Sequence, residues 1–215
     1  WNISNISNIS EISLNQVSDF SFKSIFSASN KFIAFDDSNF LVPTLEGDSQ
    51  ITNQNIKENI FINSQNEIEP VDYIIIARSD MLFEAERLGN INRDVNGLNV
   101  KVVQLQKIYN EFSSGNQDIS AIRNFIRYVY NNSKNNNSLK YLCLFGDASY
   151  DYKNRIPNNT NIIPSWNSLN SFSLSSSYVS DDFFGMMDMG EGMMTNSNKL
   201  DIAVGRILAD SNSRA

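Results

Sequence analysis

The fold follows from one stretch of the sequence, Leu139-Lys-Tyr-Leu-Cys-Leu-Phe-Gly-Asp147. Its apolar middle is typical of a strand that is buried on both faces of a parallel sheet. Gly146 permits a sharp turn out of the sheet, and Asp147 then stands at the carboxyl end of the strand. In open sheets with helices on both faces, ligands bind beyond the carboxyl ends of the strands. The stretch therefore predicts a buried strand and the edge at which a site lies.

Three further stretches have the same apolar character and alternate with helical patterns. Strands are predicted over residues 71–77, 99–104 and 200–206, in addition to the one over 139–146. The positions expected to cap, line or end the intervening helices are Ser79 or Asp80, Leu82, Ala85, Leu88, Ile91, Asn96, Gly97, Lys107, Phe112, Asp118, Ile119, Ile122, Phe125, Ile126 and Val129. Alternation at this spacing gives right-handed crossovers, so the predicted fold class is α/β: a parallel sheet flanked by helices.

The front of the chain has a different composition. Residues 1–69 alternate apolar positions with Asn, Ser and Asp clusters and show no convincing helical period, which predicts short antiparallel strands. The Asn-Ile-Ser triplets of residues 2–10 fit neither period and predict irregular structure. We therefore divide the chain into a β-rich segment, 1–69, which ends an N-terminal β domain, and the truncated first part of an α/β domain, 70–215. Both ends are expected to lie inside a longer protein.

The composition excludes several classes of site. The 215 residues contain no histidine and one cysteine, so the chain itself cannot form a Ser-His-Asp triad, a Cys-His dyad, a His-ligated metal site or a disulfide. A net charge of −7 argues against non-specific binding of nucleic acid. No apolar run approaches the ~20 residues of a transmembrane helix, and no glycine-rich phosphate-binding motif follows the strand predicted over 71–77.

Asp147 is the first candidate site residue. Its place at the predicted sheet edge suits a substrate-binding role, and its short side chain equally suits capping of the turn that follows. The one cysteine, Cys143, lies in the middle of the predicted strand between Leu142 and Leu144. It is therefore predicted to be a packed, inert thiol rather than a nucleophile.

An acidic cluster near the end of the chain is the second candidate. Asp181 and Asp182 are adjacent, and Asp188 and Glu191 follow them. Adjacent carboxylates repel one another, so they require a cation, a basic ligand or solvent. Three interpretations stay open: a calcium site formed by these four oxygen ligands, a pocket at Asp181 for a basic substrate side chain, and a solvated acidic loop.

Seven motifs occur together in an order and with gaps that match a known family. They are residues 32–36 (FIAFD), 108–115 (IYNEFSSG), 121–125 (AIRNF), 141–147 (YLCLFGD), 149–153 (SYDYK), 180–185 (SDDFFG) and 200–206 (LDIAVGR). Each motif alone has low specificity, but the set resembles the gingipain-like cysteine peptidases. The resemblance is closest to the branch of type IX secretion sortases of Bacteroidetes, and it extends from about residue 30 to the end of the chain.

The resemblance implies a caspase-like α/β fold and peptide-bond cleavage or transfer by a cysteine thiolate with a histidine partner. In this family both residues follow the strand that matches 200–206, so they are expected beyond Ala215 and the chain alone is expected to be inactive. The resemblance also implies that Asp181 lies in the region of the primary specificity pocket, and that acidic loops bind calcium while no cofactor is required. The acid that orients the histidine has no counterpart, because residues 152–180 contain no Asp or Glu.

The resemblance further implies partners and a location. The expected partners are protein or peptide substrates, the remainder of the catalytic domain and proteins of the type IX attachment complex. The substrates would be the C-terminal signal domains of type IX secretion cargo. The expected location is the cell surface of a Bacteroidetes bacterium, with the protein secreted or associated with the outer membrane.

Two alternatives stay open. A non-catalytic binding module would keep the fold and lack the active site, and the sequence beyond Ala215 would distinguish it from an enzyme. A receiver-like or flavodoxin-like domain would use Asp80 and Asp147, which follow the first and third predicted strands of the α/β part. This second alternative leaves the β-rich front unexplained.

Overall fold

The computed structural model describes residues 2–5, 10–11, 17–18, 21–22, 32–35, 42, 53–134, 138–170, 172–195 and 197–215. Contacts between residues separate two compact units, Trp1–Thr52 and Asn53–Ala215. The parallel sheet that was predicted from the apolar stretches lies entirely in the second unit.

Short antiparallel strands make up most of the described part of the first unit. β1 (Asn2–Asn5) pairs with β2 (Ser10–Glu11) and with β5 (Phe32–Phe35), and β3 (Val17–Ser18) pairs with β4 (Ser21–Phe22). The prediction of antiparallel strands is confirmed for these segments. The prediction of irregular structure is wrong for β1, because main-chain pairing with β5 does not depend on the period of the side chains. The other predicted apolar positions of this unit lie outside the described residues.

The second unit contains four helices and six strands in its described part. They are α1 (Ile56–Asn59), β6 (Tyr73–Ala77), α2 (Leu82–Asn96), β7 (Val100–Gln104), α3 (Leu105–Phe112), α4 (Ile119–Asn132), β8 (Tyr141–Phe145), β9 (Trp166–Asn167), β10 (Val179–Ser180) and β11 (Ala203–Ile207). Short 3-10 turns lie at Ser79–Met81 and Asp182–Gly185. Among the described helices, none combines the length and the apolar character that crossing a membrane requires.

Four of the strands form a single parallel sheet. Their order is β7-β6-β8-β11, and each neighbouring pair is parallel. The predicted α/β fold class, with helices flanking the sheet, is confirmed. From β6 the chain passes to β7 on one side, and it then returns across to β8 on the other side. The carboxyl ends of β6 and β8 therefore frame the crevice in which open α/β sheets bind ligands.

Helices cover both faces of this sheet. Gly89 of α2 lies beside Val102, where an added Cβ atom would stand 3.2 Å from the Val102 side chain. Through the strand register Val102 aligns with Gly205, so Val204, one residue earlier, points to the opposite face. Gly185 approaches Val204 on that second face, where the 3-10 turn also meets α4. This placement agrees with right-handed crossovers.

The core fills the space between the sheet and these helices. The predicted inward positions of α4 are confirmed, since Ile122, Phe125, Ile126 and Val129 are buried and Ile119 is partly buried. The largest fully buried side chains are Phe125, Phe145, Phe184, Ile74, Ile75, Ile76, Met81, Ile108, Ile122, Ile126, Leu139 and Leu142. Half of them come from the stretches that are predicted as strands from their continuous apolar runs, 71–77 and 139–146.

Two helix ends are confirmed. Asp118 precedes α4, and its carboxylate accepts a hydrogen bond from the Ser120 main-chain nitrogen at 2.7 Å. Gly97 ends α2 in the left-handed conformation with φ of 64°, which favours a residue without a Cβ atom.

The predicted start and inner stripe of α2 are partly wrong. Neither Ser79 nor Asp80 caps the helix; both lie in the 3-10 turn, and the Asp80 carboxylate instead binds the Arg78 guanidinium. Ile91 is exposed rather than inward, because the buried positions Ala85 and Gly89 set the contact face and Ile91 lies two residues beyond Gly89.

Residues 53–69 belong to the second unit, although their composition resembles that of the front of the chain. Ile56 and Ile60, in and after α1, are buried in the α/β core. The Ile56 main-chain nitrogen donates to the Glu111 carboxylate at 2.6 Å, and the Lys101 ammonium pairs with Glu69 at 2.7 Å. No helix was predicted here. The division of the domains at residues 69 and 70 stays a prediction.

Candidate functional site

The carboxyl edge of the sheet brings together residues from three strands. Arg78 follows β6, Gly146 and Asp147 follow β8, and Arg206 is the last residue but one of β11. An added Cβ atom at Gly146 would stand 2.6 Å from Ile162, so the turn that leads out of β8 requires glycine.

Arg206 is the centre of a hydrogen-bond network at this edge. Its Nε and Nη2 donate to the two carboxylate oxygens of Asp181 at 2.8 and 2.7 Å. Its Nη1 donates to the main-chain carbonyl oxygens of Gly146 and Ile163, both at 2.8 Å. The Arg206 side chain is 8% exposed and that of Asp181 is 25% exposed. A bidentate pair in such a setting fixes position as well as charge, so Arg206 ties four chain segments together.

The Asp181 carboxylate is therefore already neutralised. Both of its oxygens accept from Arg206, and a basic substrate side chain would have to share them. The role of Asp181 in a specificity pocket stays a prediction, and the geometry gives it a second role as the partner of a buried guanidinium.

Asp147 performs the capping role that was one of its two interpretations. Its Oδ1 accepts from the Ala148 main-chain nitrogen and its Oδ2 from the Thr160 hydroxyl, both at 2.9 Å. Its main-chain carbonyl accepts from Ile162 and Ile163 at 3.0 Å. These bonds fold the following loop back over the strand end. The substrate-binding role of Asp147 stays a prediction.

Sequence reasoning missed Asp151, a buried carboxylate next to this edge. Its Oδ2 accepts from the main-chain nitrogens of Arg155 and Ile156 at 2.6 and 2.7 Å, and its main-chain oxygen accepts from the Asn159 side chain. The only signal was an Asp ahead of an Asn-rich, Pro-containing stretch, which is typical of a side chain that organises a turn.

The four acidic residues of the calcium hypothesis do not converge on one point. Asp181 binds Arg206, and the Asp182 main-chain nitrogen donates to Ser180. Asp188 and Glu191 share a turn in which the Asp188 main-chain nitrogen donates to the Glu191 carboxylate at 3.0 Å. Across the described residues, no three acidic or sulfur-bearing side chains lie close enough to hold a metal ion. A calcium site at Asp181, Asp182, Asp188 and Glu191 stays a prediction.

Arg123 of α4 anchors the loop that carries Asp188 and Glu191. Sequence reasoning also missed this role of Arg123. Its side chain is buried, its Nε donates to the Met186 carbonyl at 2.9 Å, and its guanidinium lies over the Phe183 ring. Burial, followed by the nearby Arg127, lowers the pKa of the Arg123 guanidinium. The residue's position on the inner side of a helix gave no hint of a polar role.

Cys143 is a packed thiol, as predicted. It is 5% exposed in the centre of β8, and burial raises the pKa of its thiol. Burial outweighs the opposing effects of Tyr73 and Arg206, and a thiol that holds its proton is a poor nucleophile.

Comparison with known proteins explains this layout. The model of peptidase family C25 matches residues 66–215, more than half of the chain. The chain belongs to peptidase family C25. The resemblance to the gingipain-like cysteine peptidases is thereby confirmed. No match was found among curated proteins.

A solved structure supports the same assignment. The chain is similar to the crystal structure of dimeric latent PorU from Porphyromonas gingivalis, with a TM-score of 0.62 and 26% sequence identity. The match covers 99% of this chain and 21% of the PorU chain, so the chain spans 21% of the length of that relative.

Proposed function

We propose that this chain is part of a secreted cysteine endopeptidase or sortase that cleaves or transfers the C-terminal signal domains of type IX secretion cargo. The observation that carries the proposal is the match of the family C25 model to residues 66–215. The similarity to PorU and the motifs at 141–147, 180–185 and 200–206 support the sortase branch.

In this proposal the chain supplies the sheet and the substrate edge, and the nucleophile and its histidine lie elsewhere in the whole protein. The chain has no histidine, and its one cysteine is buried with a raised pKa. Cysteine peptidases need a thiolate, a group that takes its proton, and donors that meet the oxyanion. We therefore expect the 215-residue chain alone to be inactive.

Asp147 and Asp181 border the substrate end of the site in this proposal. Because Asp181 is paired with Arg206, it offers a substrate a neutral ion pair rather than a free carboxylate. This arrangement disfavours a pocket that selects arginine, as in the arginine-specific gingipains, and it suits a sortase with another preference.

The proposal includes partners and a location. The partners are the rest of the catalytic domain, the cargo proteins and proteins of the type IX attachment complex, and the location is the bacterial cell surface. Membership of family C25 and similarity to a Porphyromonas protein support this assignment.

A non-catalytic binding module is the second candidate. The observation that favours it is the content of the chain, which has no histidine and a single packed cysteine. It predicts that the longer protein binds peptides and does not cleave them.

The test compares this chain with the longer protein that carries it, using a fluorogenic peptide from a type IX cargo signal domain. We expect cleavage by the longer protein, complete loss of cleavage after thiol alkylation, and unchanged cleavage in its Cys143→Ala variant. The chain alone is expected to show none. Cleavage by the chain alone, or cleavage that survives alkylation, would contradict the proposal, and binding without cleavage would establish the second candidate.

A further inference from the structure

A groove of about 850 Å³ lies beside the start of α4, apart from the Arg206 network. Its lining combines three tyrosines with small polar side chains; we call it the tyrosine groove, and its residues are Gln117, Asp118, Ile119, Tyr150, Tyr152, Pro164, Ser165, Asn167, Ser168, Leu169, Ser177, Tyr178 and Val179. Aromatic walls with a few polar groups are typical of sites that bind organic ligands or peptides.

The tyrosine groove lies at the carboxyl edge of the sheet. α4 leads into the amino end of β8, so the start of α4 at Asp118 lies at the opposite, carboxyl edge. Ser165 follows Ile163, whose carbonyl oxygen binds Arg206, and Tyr150 follows Asp147 by three residues. The groove is therefore at the edge where open α/β sheets place their ligands.

The wall of the groove is almost uncharged. Residues 156–180, which supply most of the lining, contain no Asp, Glu, Lys or Arg, although 19% of the whole chain is charged. Asp118 is the one charged residue of the lining, and its carboxylate is already bonded to the Ser120 main-chain nitrogen at the start of α4. Apart from Asp118, such a wall offers a charged side chain no opposite charge, and it would remove water from that charge without compensation.

Two short paired strands border the groove, since Asn167 of β9 and Val179 of β10 are among its lining residues. β9 and β10 form a two-stranded ribbon and pair only with each other among the described strands. Each strand of such a ribbon directs half of its main-chain groups outward, which is the pattern that an added peptide strand uses.

One buried polar group in the groove lacks a partner. Ser165 is 6% exposed, and its hydroxyl has no hydrogen-bond partner among the described residues. Buried polar groups in folded proteins are nearly always bonded, so a hydroxyl of this kind points to a ligand group or water that completes it.

The segment that contributes Leu169 to the groove presents large apolar side chains to solvent. Leu169, Phe172 and Leu174 lie on the segment that joins β9 to β10, and each is almost fully exposed. Exposed apolar side chains gathered at a groove are typical of a surface that a partner covers.

From these observations we propose that the tyrosine groove binds an extended, uncharged peptide segment whose side chains include aromatic or other large apolar residues. The segment adds to the β9–β10 ribbon through its main chain, it bonds the Ser165 hydroxyl, and its side chains lie against Tyr150, Tyr152 and Tyr178. The proposal deepens the proposed function and rests on it for the identity of the peptide as part of a substrate.

The experiment measures binding to the 215-residue chain, independently of cleavage. The probe is a fluorescein-labelled ten-residue peptide of alternating tyrosine and serine, compared with peptides that carry lysine or glutamate in place of each tyrosine. We expect saturable anisotropy for the tyrosine peptide only. Tyr150→Ser and Tyr178→Ser should each weaken binding about tenfold, and Ser165→Ala about threefold to tenfold. Each variant is first shown to keep the parent's unfolding midpoint.

The matched control is Phe83→Ser, which removes an exposed aromatic side chain from α2 outside the groove. It should bind the tyrosine peptide as the parent does. No binding of any peptide, equal binding of the charged peptides, or parent-like binding by the Tyr150 and Tyr178 variants would overturn the inference. Binding by this chain without cleavage by the longer protein would leave the inference intact and remove the proposed peptidase function.

Discussion

Arg206 links four chain segments at the carboxyl edge of the sheet. Its guanidinium binds two main-chain carbonyls and both oxygens of Asp181, and it is almost excluded from solvent. Removing one partner from a buried, bonded charge leaves the other charge unpaired, which costs far more than the loss of a surface ion pair. The importance of Asp181 for folding follows from this arrangement.

We expect Asp181→Ala to lower the free energy of unfolding by about 2–3 kcal/mol, since Asp181 is partly exposed and the full cost of a buried pair does not apply. Urea unfolding measures the change. The matched control is Asp80→Ala, which breaks the exposed pair with Arg78 and should cost less than about 1 kcal/mol. Equal effects of the two substitutions would contradict the role given to Arg206.

Thiol and phenol groups whose pKa values burial raises set the response to alkaline pH, among them Cys143, Tyr73 and Tyr109. Burial raises the pKa of the Cys143 thiol, and burial, together with the neighbouring Cys143, raises the pKa of the Tyr73 phenol. The unfolded chain loses these protons near the ordinary values of 9.0 and 10.0, while the folded chain retains them. These groups therefore contribute fully to the free energy of unfolding below about pH 9, and their contribution falls as the pH rises further. The loss due to Cys143 is at most about 1.4 kcal/mol per pH unit.

Urea unfolding at about pH 8 and about pH 10.5 tests this fall in stability. Tyr73→Phe should make the decline shallower, whereas Tyr150→Phe, at an exposed tyrosine, should leave it unchanged. Stability that is constant or rises over this interval would show that the buried acids are not protonated as described.

At the scale of elements, the 3-10 turn at Asp182–Gly185 must lie very close to β11. A Cβ atom at Gly185 would stand 2.7 Å from Leu200, 2.8 Å from Val204 and 3.0 Å from the Ile202 carbonyl oxygen. We expect Gly185→Ala to lower the thermal unfolding midpoint, at a cost of about 1–3 kcal/mol, because the main chain at Ile202, next to β11, cannot yield easily. Gly205→Ala is the matched control, since nothing lies within 4 Å of its added Cβ atom.

The elements that could be predicted are those whose signal is local. Continuous apolar runs identified β6, β7, β8 and β11, and Asp118 and Gly97 marked helix ends through contacts within a few residues. The predictions failed for elements whose position depends on contacts between residues far apart in the sequence. α1 is held by Glu111, more than fifty residues away, and the contact face of α2 is set by its packing on β7.

The candidate site shows the same division. The place of Asp147 at the end of β8 and its capping role could be read from a glycine, an aspartate and an apolar strand. The pairing of Asp181 with Arg206 joins residues 25 positions apart, and no local pattern indicates it. Asp151 and Arg123 were missed because their main-chain partners leave no trace in residue type.

At the scale of the whole molecule, the second unit contains a hydrophobic core of its own. We expect residues 53–215 to fold without the first unit and to keep the helical circular-dichroism signal and unfolding midpoint of that part of the chain. A chain beginning at residue 70 would lose Ile56 and Ile60 from the core and should be less stable by about 3–6 kcal/mol. Equal stability of the two truncated chains would contradict the assignment of residues 53–69 to this unit.

The central claim is that a family C25 sheet and substrate edge lie in this chain while the nucleophile lies elsewhere in the protein. The most direct measurement treats the longer protein with a peptidyl acyloxymethyl ketone, digests it and locates the modified cysteine by mass spectrometry. We expect a label on a cysteine outside these 215 residues and none on Cys143. A label on Cys143 would contradict this placement of the nucleophile. So would a longer protein that cleaves the peptide and yet takes up no label on any cysteine.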